Sequence, residues 1–301
     1  MSSQGTYRDI PPHLHAAVRV LTLRFFETTT TIIQPFDHLA LESVLYQMFL
    51  TSTGHWSDQE PLTEFNLKFW LKAENLLKEF VMFPDGPASL SSPVLGVPVA
   101  LLRLAIQAKQ AYQCPGPQSD VNLRSLRSEI EEWELVVLSK QSLDLSAGDD
   151  VFSRQETYYA AATHLYMLVV SLLLEQAEKK TNDMPQELQH DRVPEAVPRH
   201  TWQLQKALRI VHAFETDDDW TRCYIGNWTV YTMGFFCSDT KDIGLIRNEF
   251  DRRWAVTKFM QIRRFRDDLE MVWKQRTPHS FTPGTNEGEM SGYNRCEGQK
   301  R

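Results

Sequence analysis

Cysteine is scarce and scattered in this chain: Cys114, Cys223, Cys237 and Cys296 share no C-x-x-C spacing across 301 residues. A structural zinc site needs clustered donors that converge on one ion, and a disulfide framework belongs to short, cysteine-dense secreted chains. Both are excluded, and free, mostly buried thiols are expected. No alternating β-branched run is long enough for a strand, and no repeat of fixed period emerges. Glycine-rich phosphate loops, nucleophile elbows and zincin patterns are missing too, so nothing in the residues gives positive support for catalysis or a cofactor. Positive charge is in deficit. The 32 Lys and Arg face 39 Asp and Glu, a net charge of −7, which argues against a dedicated nucleic-acid binder. The opening MSSQGTYRDIPPH has no apolar core, so a secretory leader is not expected.

What the chain has is helical periodicity and aromatics, including eight Trp and sixteen Phe, enough for a large core. Apolar residues at steps of three and four predict helices over 13–27, 36–51, 63–82, 99–112, 120–140, 153–178 and 201–214. The Pro-, Gly- and Ser-rich stretch 84–98 reads as a loop, and the polar 181–200 stretch with three prolines as a connector. The most apolar run, 158–174, is interrupted by Thr163, His164 and Ser171 and sits at the lower limit of a membrane span. A Ser153-x-x-Glu156 capping box before it marks the start of a buried core helix, and His164 reads as a hydrogen-bonded core histidine. No membrane association is expected. Residues 1–276 are predicted to form one large all-α domain. Residues 277–301, rich in Gly, Ser and charge without periodicity, are predicted to be a disordered tail.

Residues 216–273 organise the rest. Thr216 with Asp219 reads as a capping box opening a helix to Phe236, and Asp239 with Asp242 opens a second helix after a Cys237-Ser238-Asp239 turn. Trp220, Trp228, Phe235, Phe250 and Trp254 are expected to be buried against one another and against the 153–178 helix. The stripe of the second helix drifts around its axis, which predicts a bend or break near 256–260. Between Lys241 and Arg276 lie ten Lys or Arg against six Asp or Glu. Arg252, Arg263, Arg264 and Lys274 fall opposite the apolar stripe. They would form either a basic face for an anionic partner or a solvated helix face, and the interleaved acids favour the second.

Acidic runs were weighed as magnesium-diphosphate sites. Asp217, Asp218 and Asp219, and Asp267 with Asp268, lack the further acid that a DDxxD spacing supplies. Helix N-terminal charge and capping explain them instead. Glu187-x-x-His190 occurs once, without the second copy that a di-iron bundle requires. His212 and Glu215 read as surface residues near a helix end. Asn227-Trp228-Thr229 fits the glycosylation sequon but lies inside an aromatic helix. A helical enzyme with a buried active site, of the isoprenoid-synthase kind, is the competing reading.

Three stretches carry a resemblance: FDHLALESVLYQMFLTSTGHWSD from Phe36, the apolar run 158–174, and CYIGNWTVYTMGFFCSDTKDIGLIRNEF with its RRW and RRFRDDLEMVW continuation. By helix order and aromatic spacing over roughly residues 21–273, the chain resembles the helical regulatory domain of fungal binuclear zinc-cluster transcription factors. Members of that family usually begin with a six-cysteine zinc cluster, whereas here no cysteine precedes Cys114. The resemblance implies transcriptional regulation in a fungal nucleus, of a secondary-metabolite or nutrient-use pathway. It implies action through contacts with other transcription regulators, homo- or heterodimerisation, and weak or no DNA binding by this chain. No catalytic, cofactor or metal residue is carried over.

Overall fold

The computed structural model describes residues 10–27, 34–56, 65–114, 119–139, 151–183 and 193–276. Among these there is no strand and there are eleven α-helices. In chain order they are α1 (Ile10–Phe26), α2 (Pro35–Thr53), α3 (Leu67–Glu79), α4 (Val99–Gln113), α5 (Ser119–Ser139) and α6 (Val151–Asp183). They continue as α7 (Trp202–Ala213), α8 (Asp218–Arg222), α9 (Asn227–Phe236), α10 (Thr240–Thr257) and α11 (Met260–Arg276). The all-α fold follows the periodicity. The predicted tail, residues 277–301, and the Glu187–His190 pair lie outside the described residues, as does Cys296.

α6 is the axle. Its sequence is long and apolar enough to cross a membrane, but most of that stretch is covered by protein. Ala161, Leu165, Val170, Leu173 and Leu174 are fully or almost fully buried. The helices α4, α5, α7 and α9 pack around it. α1, α2 and α3 gather on the α4 side, and α10 joins α7, α8 and α9. A single apolar cluster runs from Leu14 to Trp273, so the described residues share one core.

Among the boundaries that differ from the sequence reading are both ends of α6. α6 begins at Val151, so Ser153 is already inside the helix. Glu156 does not close a capping box there: its Oε1 accepts from the Ser89 N–H at 2.9 Å. That bond anchors the 3-10 turn Ala88–Ser91 inside the expected loop. α6 also runs on to Asp183, through the start of the expected connector.

Polar side chains tie the layers together where helices meet. Arg103 of α4 is buried and bridges two neighbours, donating from Nε to Glu74 of α3 at 2.9 Å and from Nη1 to Glu129 of α5 at 3.0 Å. Burial opposes its charge, but the two carboxylates outweigh that cost and hold the guanidinium protonated. Lys109, also buried, donates to the carbonyls of Thr53 and His55 where α2 ends, with its ammonium 4.8 Å from the Trp56 ring centre. His164 reaches the Ala160 carbonyl at 2.8 Å, the hydrogen-bonded role expected of it.

Close approach sets the sequence at Gly234. A Cβ there would meet Leu269 methyls at 2.7 and 2.8 Å. Gly234→Ala is therefore expected to cost about 1–3 kcal/mol by overpacking. Trp228 lies stacked on Tyr166 of α6 at 5.9 Å between ring centres and edge-on to Phe49 of α2 at 5.6 Å. Trp228→Ala is expected to lose about 3–5 kcal/mol in urea unfolding, the usual range for a large core aromatic.

Candidate functional site

The stretch from α8 to α11 holds most of the residues singled out in the sequence, and its backbone is more broken than predicted. The N-cap of α8 is Asp217, not Thr216: its Oδ1 accepts from the N–H groups of Asp219 and Trp220, both at 2.9 Å. The single helix expected over 216–236 divides into α8, a 3-10 turn Tyr224–Gly226, and α9. Asp239 does cap α10, accepting from the Lys241 N–H at 2.8 Å after the Cys237–Asp239 turn.

The expected break near 256–260 is a chain reversal. Lys258 takes a left-handed conformation at φ 54° and closes α10 with a hydrogen bond to the Trp254 carbonyl. α11 then folds back along α10, and Arg247–Glu270 and Arg266–Asp251 pair across the two helices. The pair at the far end is the stronger fixture. The Arg247 hydrogen bond pulls the Glu270 carboxyl below its usual range, and Glu270 in turn raises Arg247.

The five aromatics do not form one stack. Trp220, Trp228, Phe235 and Phe250 are buried as expected. Their ring contacts, however, run largely to other elements: Trp220 to Tyr158 of α6 and to Phe214, Trp228 to Tyr166 of α6 and Phe49 of α2, and Phe235 to Trp56, with Tyr231 beside it on α9. Trp254 is only partly buried and carries the Lys258 ammonium 5.6 Å from its ring centre. The reason is the broken backbone: with α8 and α9 separated, each aromatic meets a different neighbour.

The basic face is also divided. Arg252 turns inward from α10, where Nη1 donates to the Phe214 carbonyl at 3.1 Å and Nη2 to the Asp217 carbonyl at 2.9 Å. Its neighbour Arg253 is fully buried and was not singled out by the sequence. Arg253 Nε donates to Glu249 at 2.7 Å, and Nη1 donates to the Cys223 carbonyl at 2.7 Å and to Asn227 Oδ1 at 2.6 Å. Its guanidinium lies 5.5 Å from the Trp220 ring centre. Both arginines share Glu249 as their counter-charge, since its other oxygen accepts from Arg252 at 3.2 Å. Asn227, committed to Arg253 and buried, has no exposed amide to glycosylate. Arg263 and Lys274 are exposed on α11, and Arg264 is half-buried.

The acidic runs are likewise distributed. Asp217 caps α8 and accepts from the Tyr158 hydroxyl at 2.7 Å, while Asp219 pairs with Arg154 and Arg222. Asp268 is buried and accepts from the Tyr231 hydroxyl, which itself accepts from the Trp56 N–H at 2.9 Å. Asp267 lines a surface groove of about 700 Å³ beside α11, together with Arg247, Arg266, Glu270, Met271 and Lys274. Among the described residues no group of three or more His, Cys, Asp or Glu is placed to hold a metal ion. A smaller cleft of about 270 Å³ opens between α4 and α5, lined by neutral side chains including Gln107, Gln110 and Asn122. His212 and Glu215 meet at 2.8 Å on the surface.

No protein-family model, curated protein or solved structure matches the chain. The geometry alone therefore says what these residues do, and Glu249 is its test. Glu249→Ala is expected to cost about 3–5 kcal/mol in chemical unfolding, because it leaves a buried guanidinium without its counter-charge. Arg263→Ala, at an exposed position, is expected to stay within about 0.5 kcal/mol of the parent.

Proposed function

We propose that this chain is a helical regulatory domain of the transcription-factor kind, working in a nucleus through contacts with other regulators rather than by reading DNA itself. The observation that carries the reading is the helix order and aromatic spacing that ends in the α9–α11 set, the feature on which the resemblance to fungal regulatory domains rests. A pathway of secondary metabolism or nutrient use belongs to the same proposal.

Charge supports the second half of it. A DNA-reading surface needs cations free to meet phosphate and a rigid element presenting side chains to base edges. In α10 and α11, Arg247 and Arg266 are paired with acids, and Arg252 and Arg253 serve backbone carbonyls and Glu249. Arg276 donates to the carbonyls of Phe235 and Pro194. The exposed cations of α11 thus stand among acids on a chain of net charge −7.

Two measurements test this. Tethered to a heterologous DNA-binding module in a fungal cell, the chain is expected to change reporter transcription several-fold relative to the module alone. An unchanged reporter would sink the regulatory reading. Titrated with duplex DNA at physiological salt, the purified chain is expected to bind no tighter than the non-specific range of about 10⁻⁴–10⁻⁶ M, and scrambled competitor should remove it. Binding in the ~10⁻⁸–10⁻¹¹ M range of specific complexes that survives competitor would overturn the assignment to protein partners.

A further inference from the structure

His38, in the first turns of α2, is 2 % exposed and sits between two carbonyl oxygens. Its Nδ1 lies 3.2 Å from the Phe80 oxygen and its Nε2 lies 3.1 Å from the Ser91 oxygen. A neutral imidazole has one N–H and one lone pair, so it can donate to only one of them, and its other nitrogen would face an acceptor. Only the imidazolium satisfies both. The counter-charge is in place one turn on: Glu42, also buried, lies 3.5 Å from Nε2. Glu42 in turn holds the same segment, accepting from Ser92 Oγ at 2.9 Å and from the Val94 N–H at 2.8 Å.

We propose that His38 is a pH-operated latch, which as an imidazolium clamps the 80–94 segment onto α2 and on losing its proton lets that segment go. Elsewhere its 3-10 turn Ala88–Ser91, with Ser89 buried, packs against α6. Its further fastenings are Glu156 of α6, on the Ser89 N–H, and the hydroxyl of Tyr224, which donates to the Val94 carbonyl. Among the described residues, Tyr224 and Tyr159 of α6 are the titratable groups that act on the Glu42 side of the pair. Burial raises both tyrosines, so they stay neutral through the working range. On α2 itself, Asp37 is held below its ordinary range by the hydrogen bond from Arg24 and stays charged. The freed segment carries Phe80, Val81 and Phe83, already exposed, and Leu95 and Val97, now buried, follow it directly.

The direction of the effect follows from the charges. Burial disfavours the charged ring, but the Glu42 carboxylate and the Ser91 and Phe80 carbonyls outweigh it and raise the His38 pKa above its ordinary 6.5. The clamp is therefore fully present below pH 6.5 and is lost as pH rises through the higher folded-state value.

Hydrogen exchange read by mass spectrometry on the full chain from pH 5.5 to 9, corrected for intrinsic rates, tests the latch. Protection of the 83–94 amides is expected to fall with rising pH, by up to about tenfold per pH unit for one linked proton. The fall should begin near pH 6.5 and level off at the His38 pKa followed by NMR. In His38→Gln the protection is expected to be lower and flat with pH. In Glu42→Gln both the NMR titration and the pH at which protection levels off are expected to move together to lower pH. The wild-type and Glu42→Gln series decide even if His38→Gln does not fold. Protection independent of pH in the wild type, a His38 titration below 6.5, or a levelling-off that ignores the Glu42→Gln shift would each overturn the proposal.

Discussion

A helix that ends inside a protein leaves carbonyl groups that water cannot reach, and each needs a donor. This fold meets that demand with cations sent from distant parts of the chain. Among the described residues, Lys109 serves the end of α2, Arg252 and Arg253 the ends of α7 and α8, and Arg276 the end of α9. His38 does the same at Phe80, where α3 stops. The choice is physically consistent: a positive group next to a helix C-terminus gains from the helix dipole as well as from the hydrogen bond. It also lets helices finish in the core, so that aromatic side chains at their ends, Phe214 and Phe235 among them, are buried.

The arrangement constrains packing. A cation that reaches across two elements fixes their relative position, because a buried guanidinium that loses an acceptor is left with an unmet donor. Arg253 joins the backbone at Cys223, the side chain of Asn227 and the carboxylate of Glu249, and so holds α8, α9 and α10 in one geometry. Around it the apolar contacts with α6 supply the larger share of the free energy, since burying an aromatic removes far more area from water than one polar group does. The polar links select which apolar packing is adopted.

This division explains what was legible in the sequence. Helices were legible because apolar periodicity is local: a residue at i predicts its neighbours at i+3 and i+4, whatever the rest of the chain does. The Asp239 cap and the break after α10 were local signals too, although the reversal that the break makes was not. The Thr216 and Ser153 boxes misled for a related reason. Each has the right spacing, but Asp217 outcompeted Thr216 at the helix start, and Glu156 was recruited by Ser89, 67 residues away. The cation links left no trace at all, since Lys109 lies 54 residues from His55 and Arg276 lies 82 from Pro194. Exceptions are Glu249 with Arg253 and His38 with Glu42, whose spacings of four on one helix could have been read as pairs. The importance of His38, though, comes from the two carbonyls that only the folded chain brings there.

The same links bear on what the surface can attract. Counted from the sequence, 32 cations suggest some affinity for phosphate, and the cluster between Lys241 and Arg276 suggests where. In the folded chain Arg252, Arg253 and Arg276 of that cluster turn toward carbonyls and Glu249, and Arg247 and Arg266 pair with acids. Lys241, Lys258, Arg263 and Lys274 stay exposed. A paired charge projects little field beyond a Debye length of about 8 Å at physiological salt. Asp267 on α11 and Asp218 at the start of α8 present exposed carboxyls. The cations that remain exposed on α11 thus stand beside an exposed acid. The proposed reliance on protein contacts rests on that arrangement: a fold that places its arginines against its own helix ends has few left to place against a phosphate backbone.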